Sequence, residues 1–491
     1  MAGACRSCGS RSKKKGSIGS TKQPAAPPVG DAELADSKVV RGELLPAEKT
    51  VGSYFEVRTI VQVVLFVVEG AIAMRAASRI TIIINQCNGQ DCFDTPSHTT
   101  VQNFLLRIGL FVLRYLVERQ SDWIWIVDHT HSVGTTKCFV VVGIRLSEYR
   151  KLNRALQHSD LSVLDLLPVE QSNGEIVSKQ MSALCNKFGI PLAILCDRGS
   201  DLNKGVNLLQ QTHPDVVLLY DVVHMVARMT EAILKKEPNW DAFCVASSHC
   251  AHEIRQSKIS HLKPPRTKTK ARYMNISQEI RWGARALLVL DRVRDGKLNA
   301  RQSTRLPKDL VVSKLQWLDS YRESITAWEK ISLMGQEVIT TVRRLGYSMQ
   351  TKNQLNEKLG TTDNAACREW VKRIMQDIEQ QCLAANMHQT LPGTSEILES
   401  LFGKMKRLLS GNHSGTTNSL TVQLLAMVTC TVLLTHTLVR EAVATCRIKH
   451  LKEWAKDKLR ESNNWARRID LSATHEEQKL RKALNPTIAN F

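Results

Sequence analysis

The chain has 491 residues, 43% of them hydrophobic, and a formal net charge of +20 at pH 7. That length and apolar content exclude a wholly unfolded chain and leave room for about three domains. The cationic excess points to a polyanionic partner, nucleic acid first and an anionic membrane surface second. The most apolar run, Ile60 to Val68, falls short of the about twenty residues a bilayer span needs, so no membrane span is expected. Met1 leads into polar, basic residues rather than an apolar signal core, and the thirteen cysteines show no paired framework. A reducing cytoplasmic setting is the expectation. Cys5 and Cys8 form a lone CxxC, too few ligands for tetrahedral zinc, and Cys244, Cys250 and His252 read as small buried side chains on a helix.

Residues 1–50 read as a basic tail with too little apolar content to offset ordering entropy. Over 51–120 the pattern is helical. The segment Glu69 to Ile84 places Ala71, Ile72, Ala76, Ala77 and Ile80 at helical spacing, and Ser97 is a plausible N-cap for a helix from His98 to Leu113. The second helix mixes Thr99, Gln102 and Arg107 with Val101, Phe104, Leu105 and Ile108. A helix-turn-helix reading puts those polar residues against DNA.

From Trp123 the period changes. Apolar runs at Trp123–Val127, Cys138–Leu146, Leu161–Leu167, Leu192–Cys196 and Val216–Tyr220 read as strands, the third stopped by Pro168. Helices are expected at Ile176–Phe188, Leu202–Gln211 and from Val222. Strands alternating with helices predict an α/β fold with a parallel or mixed sheet. From about 225 to 390 the chain is nearly all helical, with a basic loop between Arg255 and Arg285 that holds nine Lys or Arg and one acid, Glu279. Lys263, Arg266, Lys268, Lys270 and Arg272 in that loop can track phosphates. Glu396 to Leu409 is a further helix, then a polar loop, then a long helical region from about Leu420 to Arg460.

Asp128, Asp197 and Asp221 each end or follow an apolar run, and functional groups of open α/β sheets gather at the carboxyl ends of strands. Asp128 and Asp197 become neighbours if their strands pair. Two adjacent carboxylates repel, and hard divalent cations offset that repulsion. Two such ions about 4 Å apart suit phosphodiester chemistry, which matches a basic chain. Any one of these acids, taken alone, is as well explained as a turn former or cap.

The segments "WIWIVDHTHSVG" and "LAILCDRGSD", followed by "SEILESLFGKMK", resemble the catalytic segments of DDE-type DNA transposases. In that family an RNase H-like domain carries Asp on its first strand, Asp after its fourth and Glu on a later helix. The resemblance implies a catalytic Asp128, Asp197 and Glu399 binding two Mg²⁺ or Mn²⁺ ions. The third segment looks like the Glu-x-x-Phe…Lys signature of bacterial insertion-sequence transposases, and it matches Glu399, Phe402, Lys404 and Lys406 in one register. Glu396, one turn earlier, is the rival. Lys406 shares the face of Glu399 at about two helical turns and could hold a phosphate. Asp221 and His224 in "YDVVHMVARM" resemble the Asp-x-x-His signature of hAT-type transposases, positioned to face DNA or the active site. The 201 residues between Asp197 and Glu399 imply a helical insertion domain. In related transposases an insertion-domain Trp can stack on a flipped base, a role open to Trp282, although the simpler reading, a core or interface residue, is the favoured one.

The resemblance implies a helix-turn-helix-like domain over 51–120 and an RNase H-like mixed sheet over 121–236 and 391–460. A helical insertion over 237–390 and a charged tail over 461–491 complete it. It implies double-stranded DNA as partner (transposon ends and target), a homo-oligomer that bridges two ends, and a nucleoid-associated location in a bacterial cytoplasm. Two other readings stand beside it: a silent or repurposed DNA-binding derivative, and an RNase H-like nuclease without strand transfer.

Overall fold

The computed structural model describes residues 47–89, 95–133, 136–152, 154–169, 171–265, 276–299, 304–360, 364–410 and 420–459. Both expected tails lie outside these residues but for 47–50, as do Arg266, Lys268, Lys270 and Arg272, Cys5 and Cys8, and the polar loop after residue 410.

Five strands form one sheet: β1 (Trp123–Val133), β2 (Thr136–Arg145), β3 (Ser162–Val169), β4 (Ala193–Cys196) and β5 (Val217–Tyr220). Their order is β3-β2-β1-β4-β5. The first three pair antiparallel, and β4 and β5 join in parallel. This mixed sheet among many helices fits the α/β RNase H-like expectation with helical insertions. The helices that follow the early strands are α4 (Leu146–Tyr149), α5 (Gly174–Phe188) and α6 (Ser200–Thr212). Pro168 does not stop β3 as expected: it pairs with Cys138 inside the strand. β3 is an edge strand, and an edge tolerates a residue without an amide donor.

Alternation along β1 sorts its side chains to two faces. Trp123, Trp125 and Val127 bury against α5 and α6 in one core. Ile124 and Ile126 point the other way, into a larger core shared with three N-terminal helices, α1 (Val57–Val68), α2 (Met74–Cys87) and α3 (His98–Tyr115). A helix was expected from Glu69. Instead the chain turns between α1 and α2, with Ala71 at φ 50°, and α2 begins at Met74.

The exposed recognition helix expected over 98–113 is a core helix. Ser97 caps it as anticipated, accepting from the Thr100 amide at 3.3 Å. Every residue from Phe104 to Leu113 is buried. A Cβ added at Gly109 would stand 2.1 Å from the Leu425 carbonyl oxygen, so only glycine allows this approach. The partner is α15 (Leu420–Thr429), the first of three C-terminal helices with α16 (His436–Thr445) and α17 (Ile448–Leu459). The helical region expected over 420–460 consists of these three helices, and Thr435 caps the second. Thr99 is exposed and Gln102 half-buried, but Arg107 is 5% exposed and unable to reach DNA. Its guanidinium donates to the carbonyls of Cys446 (2.5 Å), Gly52 (3.3 Å) and Val443. Burial first, and the neighbouring Arg447 charge second, lower its pKa to about 10.

Between β5 and the last helices of the sheet unit lie α7 (Val222–Leu234), α8 (Trp240–Ile254), α9 (Ile276–Arg294), α10 (Lys308–Leu315), α11 (Arg322–Leu345), α12 (Met349–Leu359) and α13 (Ala365–Ala385). Leu234 to Trp328 has a core of its own, centred on Trp240, Phe243, Trp282 and Trp328. Ile331 to Leu391 belongs instead to the main core. There α13 covers the β5 edge: the Gln381 side-chain oxygen accepts the Tyr220 amide at 2.8 Å.

Arg107→Ala would strand the carbonyls of two buried residues, Cys446 and Val443, and free that of exposed Gly52. The expected outcome is a loss of about 2–4 kcal/mol of unfolding free energy in urea denaturation, because a buried acceptor left unmade costs about 1–3 kcal/mol.

Candidate functional site

The parallel register pairs Ile124 with Ala193, Trp125 with Ile194 and Ile126 with Leu195. Extended two residues, it sets Asp128 beside Asp197. β4 ends at Cys196 while β1 runs on, so both carboxyl groups leave the sheet at its carboxyl edge. Asp128 lies inside β1, opposite Val140, rather than at the strand end expected for it. It shares the face of Ile124 and Ile126, the face on which α14 (Glu396–Ser410) lies. That placement brings Glu399 to the pair.

Charge coupling records the convergence. Burial, then the Asp197 charge, push the Asp128 pKa up to about 7, with Glu399 adding to the rise. The His129 amide, donating to Asp128 Oδ1 at 2.6 Å, and the His224 ring offset part of it. Asp197 bends back on its own loop, where Oδ1 accepts the Gly199 amide at 2.8 Å. A Cβ at Gly199 would stand 2.7 Å from that oxygen, so a side chain there forces the carboxylate aside.

His224 lies between the other two acids. Its Nε2 is 3.3 Å from Glu399 Oε1 and its Nδ1 4.0 Å from Asp197 Oδ2. Burial alone would lower its pKa, but the Glu399 hydrogen bond and the charges of Asp221 and Asp197 outweigh burial and raise it.

Asp221 does not face DNA, being 1% exposed. It caps α7 by accepting the His224 amide at 2.8 Å, and its other oxygen accepts the Ser395 amide at 2.5 Å and hydroxyl at 3.0 Å. The Val222 amide reaches the Gly393 carbonyl at 2.9 Å. This clamp closes the stem of everything between β5 and α14.

The two candidate glutamates separate cleanly. Glu396 is engaged by Arg343 through Nε at 2.9 Å and Nη2 at 2.7 Å, and by the Thr394 hydroxyl at 3.1 Å. Glu399 faces His224 and the aspartates. Lys406 is exposed farther along α14, and Lys404 pairs with Glu69 at 3.2 Å.

Sequence reasoning missed a polar node on the opposite face of β1. His129 Nε2 is 3.1 Å from the Ser172 hydroxyl, and Asp201 Oδ2 is 3.8 Å from His129 Nδ1 and 3.9 Å from Lys137 Nζ. The node braces the loop that carries Asp197. Asp201 was within reach, four residues after Asp197 in "DRGSD", whereas nothing marked Ser172.

The basic segment divides. Trp282 is 7% exposed, stacked on Trp317 at 6.2 Å, and donates to the Leu262 carbonyl at 2.8 Å, so it is a core residue and no platform for a base. Glu279, the lone acid of the stretch, is buried and bonded to Ser247. Half-buried Lys263 with His261, Arg281 and Arg285 lines a groove of about 580 Å³. No acid lines it among the described residues.

Carboxylate oxygens are the hard donors that Mg²⁺ or Mn²⁺ prefers. As placed, no three His, Cys, Asp or Glu side chains among the described residues stand close enough to hold one ion. Glu399 is held by His224 instead. No helix among the described residues is long and apolar enough to cross a membrane.

No protein-family model matches the chain, and no curated protein matches it. Among solved structures, a Drosophila P element transposase strand transfer complex aligns with TM-score 0.37 and 10% identity, over 81% of this chain and 94% of that one. That likeness is too slight to bear on the site.

Because the folded Asp128 pKa lies above the ordinary carboxylate value of 3.8, the folded state binds the extra proton between pH 4 and 7 and loses stability as pH rises through that window. Asp128→Asn removes the charge. In chelator its melting temperature should exceed the wild type's at pH 8, and the gap should close as pH falls toward 4.

Proposed function

We propose that this chain is a DNA-cleaving and strand-joining enzyme of the DDE transposase kind, with Asp128, Asp197 and Glu399 as ligands for divalent cations. The observation that carries the reading is that Asp128 and Asp197, far apart in sequence, sit side by side at one edge of a mixed sheet, with His224 between Asp197 and Glu399. Two bound Mg²⁺ or Mn²⁺ ions would supply an activated water or 3′-hydroxyl and a charge partner for the leaving oxygen. The residues of the chain do the rest. β1 and β4 hold the aspartates rigid, α14 presents Glu399, and the Asp221 clamp keeps α14 in register with the sheet. His224 holds the Glu399 carboxylate in place. The groove of His261, Lys263, Arg281 and Arg285 and the exposed Lys406 suit phosphates of double-stranded DNA. Joining two element ends to a target calls for a homo-oligomer on DNA.

One observation favours a second reading, a DNA-binding derivative without catalysis: Glu399 is engaged by His224, and no three ligands share a point. Cation-dependent stabilisation separates the two. Mg²⁺ or Mn²⁺ should raise the wild-type melting temperature at pH 8 and leave Asp197→Ala unmoved. No shift in the wild type favours the silent derivative.

The acids also make unequal demands. Glu399→Gln should lower Mn²⁺-dependent nicking of duplex DNA by about a thousandfold or more, since a lost catalytic charge of about 4 kcal/mol corresponds to that factor. Glu396→Gln, whose partner is Arg343, should stay within about tenfold of wild type. The reverse order in a nicking assay would move the third acid to Glu396.

A further inference from the structure

α3 is spent on the core, and this leaves α2 as the neighbouring helix with a free face. Its sequence, MRAASRITIIINQC, contains two arginines and no acid. Met74, Ala77, Ser78 and Thr81 are its buried side, and the two hydroxyls return to the carbonyls of Met74 (3.2 Å) and Ala77 (3.0 Å). The inner face is therefore satisfied within the fold. On the outer face stand Arg75, Arg79, Ile83 and Gln86, all exposed and spaced at i, i+4, i+8 and i+11, which is one stripe of a helix. Among the described residues no acid engages Arg75 or Arg79. Ile83 is 57% exposed, a large aliphatic side chain set on the same stripe as the arginines.

That set matches a particular surface. Arginine reads the O6 and N7 acceptors of guanine, glutamine reads N6 and N7 of adenine, and an aliphatic side chain contacts the thymine methyl. All three groups are displayed together only in the major groove of duplex DNA. A 14-residue helix is about 21 Å long, and a groove about 12 Å wide admits one. A polyanion-binding patch without sequence reading would need the arginines but neither Gln86 nor Ile83.

We propose that α2 is the helix that enters the major groove and reads DNA sequence, through Arg75, Arg79 and Gln86 with Ile83 against thymine. α3 is its buried support. The partner class rests on the reading of this chain as a DNA enzyme, but the assignment does not depend on the carboxylate cluster. A basic stripe for a protein partner is the competing occupant.

The test is selection from a pool of random-sequence duplex DNA by the full-length chain. The wild type should enrich a motif, and Arg79→Ala and Gln86→Ala should each lose preference at one position, with about tenfold weaker binding to the wild-type motif. Melting temperatures of these surface variants should match the wild type, which excludes unfolding as the cause. Asp128→Asn should enrich the same motif. Should that variant and the wild type share a motif while the wild type fails to nick DNA, the catalytic reading falls and the α2 assignment stands. Unchanged motifs in the α2 variants, no motif in the wild type, or equal competition by single-stranded DNA or RNA overturns the assignment.

Discussion

Everything at the sheet edge follows from electrostatic repulsion held in place by strand register. Pairing Ile126 with Leu195 commits Asp128 and Asp197 to adjacent positions, where burial and mutual charge lift the Asp128 pKa to about 7. The surroundings answer that unfavourable meeting by supplying donors. The His129 and Gly199 amides each take one oxygen, and the His224 ring lies beside Asp197. Such strained carboxylate clusters persist where a cation or a proton is part of the working state.

The helices beyond β5 serve this edge in two ways. Those after Ile331 join the main core, and α13 supplies Arg198 with an acid, Asp377 at 3.0 Å, next to Asp197. The earlier ones build around Trp328 and Phe243 and carry the groove lined by His261, Lys263, Arg281 and Arg285. The carboxylate edge and the cationic groove thus sit on separate cores joined through α11, which begins in one and ends in the other.

Much of this was legible in the chain. The apolar runs that end near Asp128, Asp197 and Asp221 were long enough, and bounded well enough by turn residues, to mark the strands. The resemblance favoured Glu399 over Glu396 by the register of Phe402, Lys404 and Lys406, whereas the Arg343 partner of Glu396 lies 53 residues earlier, beyond any local pattern. What the pattern hid was tertiary. Periodicity showed that residues 98–113 are helical, but not that the helix is enclosed on nearly every side, so Arg107 looked available when it bonds carbonyls near residues 52 and 446. Asp221 looked solvent-facing because a strand end usually is. Its partner, Ser395, stands 174 residues later, at a distance no local pattern reports. Trp282 was legible: the simpler reading, a core residue rather than a stacking surface, is what the fold uses.

The clamp between Asp221 and Ser395 carries a consequence for how such a chain can change over time. With that stem tied, the position of Glu399 is set locally, and the Leu234–Trp328 core hangs beyond it as a self-contained appendage. Loop-closure entropy grows only with the logarithm of length, so lengthening the appendage costs the stem little. Insertions and deletions there can accumulate while Asp128, Asp197 and Glu399 keep their places.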